Sequence, residues 1–321
     1  MLPVTVVIPN MNGKHFLEDC LAALKGQTMK EFGIIVVDNG STDGSLEFLK
    51  RNYPEVKVIS WPENLGFCKA VNAGIQASDS EYVILLNNDT VPHKKFVEAL
   101  YRGIEKRPKA FCCTARMLIA SNPKLTDAAG DWYSAMGWAF ARGKNRPASD
   151  YKKPARVFSG CAGAAIYRME YLEKTGLFDE AHFAYLEDLD ICWRANILGY
   201  ENWFLSAARV KHVGSGTSGS AHNPFKVRYS ARNNVYVIYK NMPLPQRILN
   251  APFLFAGFQI KKLYFKKKGL GKEYKEGLKE GKLLAKSGEA AEKIRHFEFR
   301  YFRNYCRIQL SLWASLFRRR G

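Results

Sequence analysis

Short apolar runs alternate with amphipathic stretches through the first 110 residues. Val4 to Ile8, Phe32 to Val37, Val56 to Ser60 and Tyr82 to Leu86 are rich in β-branched and aromatic residues and predict strands. Between them, Phe16, Leu17, Cys20, Leu21 and Leu24 recur at helical spacing. A second helix starts at Leu46 to Leu49 and stops before Tyr53-Pro54, and Lys69 to Ala77 reads as a third. Strands that are apolar throughout, separated by helices, predict an α/β fold with a mostly parallel sheet covered on both faces. Such sheets bind ligands beyond the carboxyl ends of their strands. Polar residues gather at those ends: Pro9-Asn10, Asp38-Asn39-Gly40-Ser41 and Asn87-Asn88-Asp89.

The pattern is less regular in the middle third. Gly130 to Gly163 mixes glycine, aromatic and basic residues and reads as long loops near a site. Leu186 to Leu198 predicts a helix, with Leu189, Trp193 and Ile197 on one face and Gly199 as its C-terminal stop. The composition changes after Met242-Pro243-Leu244-Pro245, and residues 246–321 read as helical, basic and aromatic. No internal repeat is visible.

Charge sharpens this division. Of 49 Lys and Arg against 30 Asp and Glu, 20 basic and only 6 acidic residues lie from Lys240 onward. The tail therefore carries most of the net charge of +19 and seeks an anionic partner. Hydrophobic residues make up 47% of the 321, enough for a folded core, and the length suits about two domains. The seven cysteines show no CxxC spacing, which fits a reducing compartment. Met1 runs directly into a strand pattern rather than a signal peptide, and no run reaches the length of a membrane span. These features predict a cytoplasmic protein.

Four constellations carry candidate chemistry. The run Ile34 to Asp38 delivers a carboxylate to a sheet edge, followed by the tight turn Asn39 to Gly44. A carboxylate there accepts hydrogen bonds from a nucleobase or a sugar; a turn with a helix cap is the plainer reading. Asn87-Asn88-Asp89 ends another strand, and one or two protein oxygens suffice for a hard dication already on a diphosphate. In Glu187-Asp188-Leu189-Asp190, three acids open a helix, where the dipole favours them. Asp190 and Arg194 stand at i,i+4 and predict a structural pair, which leaves Glu187 and Asp188 without an assigned partner. His212 follows as a candidate metal ligand.

In this order, Val6-Val7-Ile8-Pro9-Asn10 with Asn12-Gly13, Val36 to Gly44, Glu63-Asn64-Leu65-Gly66-Phe67, Leu86 to Asp89, and Glu187 to Asp190 followed by His212 resemble glycosyltransferase family 2. The likeness covers about residues 3–240 and is nearest to a rhamnosyltransferase-like branch. It implies a GT-A fold, Rossmann-like, with residues 1–240 as the transferase domain and 241–321 as a basic amphipathic helical extension. It further implies that Pro9, Asn10, Asp38, Asn64, Asn72 and Asn88 hold the donor. Asp188 would be the catalytic base. Gly160, Cys161, Glu187 and Trp193 would lie near the sugar or acceptor, and Asp89 and His212 would bind Mg²⁺ or Mn²⁺. Asn87 stands where the family's metal motif has its first Asp.

The implied reaction is inverting transfer of a sugar, with L-rhamnose from dTDP-rhamnose first and a UDP-hexose second. The implied acceptor is a polyprenyl-diphosphate-linked saccharide of bacterial cell-surface polysaccharide synthesis. The tail fits this. Ala251 to Ile260 leads into Lys261-Lys262 and Lys266-Lys267-Lys268, and Ile308, Leu310, Leu312, Trp313, Leu316 and Phe317 precede Arg318-Arg319-Arg320. Apolar faces bordered by cations predict peripheral attachment to the inner, anionic face of the cell membrane. Packing on the catalytic core or in a homodimer is the alternative. No nucleic-acid motif accompanies the charge. A sugar nucleotidyltransferase would carry a Gly-rich, Arg-containing loop where Asn10 to Lys14 stand, and a processive synthase would show QxxRW and spanning helices.

Overall fold

A computed structural model describes residues 2–214 and 223–318. Arg319 and Arg320 of the expected terminal basic cluster lie outside the described residues. The chain opens with β1 (Val4–Asn10), α1 (Lys14–Lys25), β2 (Phe32–Asn39), α2 (Ser45–Asn52), β3 (Lys57–Trp61), α3 (Phe67–Gln76) and β4 (Tyr82–Leu86). It continues through β5 (Thr90–Pro92), α4 (Phe96–Glu105), β6 (Ala110–Ile119), β7 (Asn122–Ala128), β8 (Asp131–Ser134), β9 (Trp138–Ala141), β10 (Ala155–Val157), β11 (Ala164–Arg168) and α5 (Met169–Thr175). Next come α6 (Glu187–Leu198), β12 (Glu201–His212) and α7 (Pro224–Asn241). The tail holds α8 (Leu244–Lys267), α9 (Gly271–Leu284), α10 (Gly288–Glu292) and α11 (Phe302–Ala314).

The expected α/β architecture is present. The main sheet runs β10-β12-β6-β11-β4-β1-β2-β3, with β5 added on β12 and β7 on β6. Strands β4, β1, β2 and β3 are parallel, and β12 is parallel to β6. Strand β11 enters antiparallel between β4 and β6. The apolar runs are explained by burial on both faces. Val6 and Ile8 of β1 pack with Leu17, Leu21 and Leu100, whereas Val7 packs with Ile35, Val71 and Ile191 on the other side.

Gly130 to Gly163 is not the stretch of long loops its composition suggests. Strands β8 and β9 form a hairpin, and β10 joins the main sheet. Gly137, at φ +70°, makes the turn, while Trp132, Tyr133, Trp138 and Phe140 supply β-favouring side chains. The strands are too short to leave a periodic signal.

The tail divides into a packed and an unpacked part. Ile308 and Leu312 of α11, expected on an interfacial face, are instead 3% and 0% exposed. They join Tyr133, Phe158, Trp193 and Val237 in one core, because those aromatic side chains need an apolar cover. Helix α9 lies close on α7, where Gly277 and Gly281 sit so near the Arg228 and Arg232 carbonyls that a Cβ would fall 2.3 Å from either oxygen. Helix α8 differs. It buries Gln246, Asn250 and Gly257 but exposes Leu244, Ile248, Leu249, Phe253, Phe255, Ile260 and Leu263. No helix among the described residues is long and apolar enough to cross a membrane.

Candidate active site

The polar ends of β1, β2 and β4 open into a cleft of about 840 Å³. At one end stand Pro9, Asn10, Asn39 and Asn64. Asn10 Nδ2 donates to Asp38 Oδ1 at 2.9 Å, and Asn88 Nδ2 donates to Asn10 Oδ1 at 2.7 Å. Gly13 makes room for this chain, since a Cβ there would lie 2.0 Å from Asn88 Nδ2. Asp38 is fully buried and is not a cleft-lining residue. Its second oxygen accepts from the Ser41 N–H at 3.0 Å, so it orients Asn10 and the turn. Asn39 is the β2 residue that reaches the cleft. It donates to Asn64 Oδ1 at 2.9 Å and accepts from the Leu65 N–H at 2.8 Å.

Two other expected site residues lie elsewhere. Asn72 donates to the Phe178 carbonyl at 2.8 Å and accepts from the Phe178 N–H at 3.0 Å, which ties α3 to the segment before α6. Trp193 is fully buried, edge-on to Tyr133 and Phe158. Both point away from the cleft because α3 and α6 turn those positions toward neighbouring elements. Gly160 is packed so closely that a Cβ would lie 2.6 Å from Cys112 Sγ. Cys161, Ala162 and Gly163 do line the cleft.

The acids of α6 separate as their spacing suggests. Asp190 is completely buried and takes Arg194 Nε at 3.0 Å, Lys240 Nζ at 2.9 Å and Asn241 Nδ2 at 2.7 Å. Its carboxyl is held far below the usual range, the cost of burial being outweighed by Lys240 and Arg194. Glu187 and Asp188 instead line the cleft. Asp188 accepts from the Leu189 N–H at 2.7 Å and from the Ala162 N–H at 3.4 Å. Burial raises its pKa above the usual carboxylate value, against those two N–H groups. Burial, and next the Asp188 charge, push Glu187 up to about 8. Its buried Oε2 has no hydrogen-bond partner among the described residues.

The loop that delivers these acids is strained. Phe183, Tyr185 and Leu186 have φ of 61°, 73° and 65°, a region that side chains rarely occupy. The buried Asn233 amide nitrogen holds it, 2.9, 2.8 and 2.7 Å from the carbonyl oxygens of His182, Ala184 and Tyr185. Phe183, Tyr185, Phe225 and Lys226 complete the cleft wall. Sequence spacing does not find Phe225 and Lys226, since α7 contributes from far along the chain.

Asp89 and His212 meet at the cleft floor, Oδ1 to Nε2 at 3.4 Å. His212 Nδ1 is 2.7 Å from Asp127 Oδ2, and Lys144 pairs with the same Asp127 carboxylate. Burial works against the imidazolium, but the hydrogen bonds and charges of Asp127 and Asp89 prevail and lift His212 to about 9. Asp89, and His212 once its Nε2 proton is displaced, offer one oxygen and one nitrogen, a donor set that fits a hard dication whose other ligands are phosphate oxygens and water. A second group, Asp179, His182 and Asp190, also brings ligand atoms together. The Lys240 ammonium already lies between its carboxylates, 2.6 Å from Asp179 and 2.9 Å from Asp190, so the group fits no metal.

The sequence profile described as Glycosyl transferase family 2 matches residues 5–176. An N-acetylglucosaminyl-diphospho-decaprenol L-rhamnosyltransferase of Mycobacterium tuberculosis is 26% identical over 244 residues, covering 68% of this chain and 78% of that protein. The glycosyltransferase GlyG of Streptococcus pneumoniae is 26% identical over 193 residues, 56% and 60% of the two chains. Among solved structures, GalNAc-T7 with UDP, GalNAc and Mn²⁺ superposes with a TM-score of 0.61 at 19% identity, over 75% of this chain and about half (48%) of that one. S. aureus TarS 1–349 in complex with UDP gives 0.54 at 16% identity, over 82% and 72%. These likenesses establish the GT-A fold.

Proposed function

Because the chain belongs to glycosyl transferase family 2 and is therefore a glycosyltransferase, we propose that its cleft holds a nucleotide sugar and passes the sugar, with inversion, to a lipid-diphosphate-linked saccharide. L-Rhamnose from dTDP-rhamnose is the first donor and a UDP-hexose the alternative, within bacterial cell-surface polysaccharide synthesis. The observation that carries the reading is a half-buried, raised-pKa carboxylate, Asp188, in the same cleft as the Asn10–Asn88 network and the Asp89–His212 pair.

The division of labour follows from position. Pro9, Asn10, Asn39 and Asn64 form the nucleoside end, with Asp38 orienting Asn10. Asp89 and His212 would hold Mg²⁺ or Mn²⁺, which when bound neutralises charge on the donor diphosphate. Asp127 keeps the His212 Nε2 face turned to Asp89. The free Oε2 of Glu187 is placed to accept from a sugar hydroxyl. Asp188 removes the proton of the attacking acceptor hydroxyl, and a single displacement inverts the anomeric carbon. Screening dTDP- and UDP-sugars for divalent-ion-dependent consumption tests this. One donor is expected to be hydrolysed and to be spared on chelation. Consumption of none would overturn the reading.

Functionally, we divide the chain near residue 240, with α8 as the part that meets the membrane. Helix α8 contains no acidic residue and ends in Lys261, Lys262, Lys266 and Lys267, with Lys268 as its C-cap. Ile248 and Phe255 are 65% and 69% exposed. An apolar face bordered by lysines suits the surface of an anionic leaflet, where a polyprenyl-linked acceptor presents its sugar. Deleting the tail would remove the core residues of α11, so point changes are the cleaner test. Ile248→Glu with Phe255→Glu is expected to weaken binding to phosphatidylglycerol vesicles about tenfold or more in a flotation assay. Unchanged flotation would exclude α8 as the anchor.

A further inference from the structure

A second chamber of about 400 Å³ adjoins the cleft and shares Cys161 and His212 with it. Its other walls come from the β6–β9 region, with Asp127, Asp131, Phe140 and Lys144 at the polar and aromatic positions. None of these four residues is part of the sequence motifs. In the sheet, β6 lies beyond β11 and β4, whereas β1 and β2 carry the nucleoside end. The chamber therefore lies further along the sheet from the nucleoside end, and His212 and Cys161 form the wall it shares with the cleft.

We infer that this chamber is the acceptor subsite and that it takes the terminal sugar ring of a saccharide, with Asp131 and Phe140 as its specificity-determining residues. The inference rests on the transferase reading and extends it to the second substrate. Inverting displacement requires the acceptor hydroxyl to reach Asp188 with the nucleotide leaving on the other side, and the chamber lies away from the nucleoside end, with Asp131 joined through Ser159 to Asp188. Its volume lies within the roughly 300–1,000 Å³ of small-ligand sites.

The lining chemistry selects the class of ligand. The Asp127 carboxylate is engaged by His212 and Lys144. The Asp131 backbone is bonded to Ser159, but its carboxyl has no hydrogen-bond partner among the described residues. It is close enough to Asp188 and Asp127 that burial, then their charges, hold it well above the usual carboxylate range. A carboxyl exchanges hydrogen bonds with hydroxyls, and an aromatic ring covers the apolar face of a sugar. A neutral polyhydroxyl ring fits both. The diphosphate and lipid of the acceptor would remain outside, toward the protein surface.

The test separates acceptor from donor. Asp131→Asn and Phe140→Leu are made in the full chain. The donor is the nucleotide sugar that the wild type hydrolyses. The probes are farnesyl-diphosphate-linked glucose, galactose, N-acetylglucosamine and N-acetylgalactosamine. With the probe that the wild type glycosylates, the acceptor KM is expected to rise about tenfold or more in Asp131→Asn and severalfold in Phe140→Leu, while the donor KM in hydrolysis moves less than about threefold. Donor hydrolysis also reports that each variant is folded. A donor KM that rises in parallel, or an acceptor KM unchanged in both variants, overturns the assignment. A wild type that hydrolyses donor but glycosylates none of the probes counts against a saccharide ligand. A wild type that consumes no nucleotide sugar sinks the transferase reading itself, which is a distinguishable failure.

Discussion

Asp188→Asn is expected to lower kcat for sugar transfer by about 10²- to 10⁴-fold, the usual range for removing a general base. Donor affinity should stay within severalfold, since the side chain bonds to the Leu189 and Ala162 N–H groups and not to Asn10 or Asn64, and the amide keeps its shape. The substitution also retains an oxygen to accept from Leu189 N–H, so the first turn of α6 is preserved. The pH profile gives a second readout. A base must be ionised, so wild-type activity falls as pH drops through the Asp188 pKa, which burial holds above the ordinary carboxylate value. That acid limb should vanish from the residual activity of the variant. Near wild-type turnover in Asp188→Asn would remove this residue from the role.

Lys240→Ala is expected to destabilise the protein by about 3–5 kcal/mol, the range for removing one partner of a buried ion pair. Lys240 is 2% exposed and bridges Asp179 and Asp190, which burial alone would neutralise. Arg194 stays with Asp190 and Lys293 with Asp179, so the network is weakened rather than emptied. Urea denaturation measures the loss. The sign of the pH effect follows from the depressed pKa values of both aspartates. Their contribution is present above the ordinary carboxylate pKa and is lost as pH falls through the depressed values. Without Lys240 those values rise, so acid unfolding should begin at higher pH than in the wild type. With the Lys240 ammonium between the two carboxylates, Mn²⁺ is not expected to stabilise the wild type through this cluster.

The parallel half of the sheet was legible in the sequence because its strands are buried on both faces and leave continuous apolar runs. The acids of α6 were legible for a different reason. Asp190 has an i,i+4 partner in Arg194 and Asp188 has none, so spacing alone separated a structural acid from a cleft acid. Asp38 and Asn39 show the limit of such reading. Adjacent strand residues point to opposite faces, and only the fold decides that Asn39 reaches the cleft while Asp38 orients Asn10. Asn72 and Trp193 were placed in the site by resemblance, but the packing of α3 and α6 turns them inward. Asp127 and Asn233 were invisible because their contacts reach across long stretches of chain. The amphipathic tail misled in part. Ile308 and Leu312 share the apolar character of Phe255 but cover Trp193 and its neighbours rather than face outward.

The most direct measurement is the anomeric configuration of the newly formed linkage, read by proton NMR of the isolated product. One carboxylate acting on an acceptor hydroxyl, with the nucleotide leaving from the opposite side, must yield the anomer opposite to that of the donor. A product that keeps the donor's configuration would contradict a single displacement and the part assigned to Asp188.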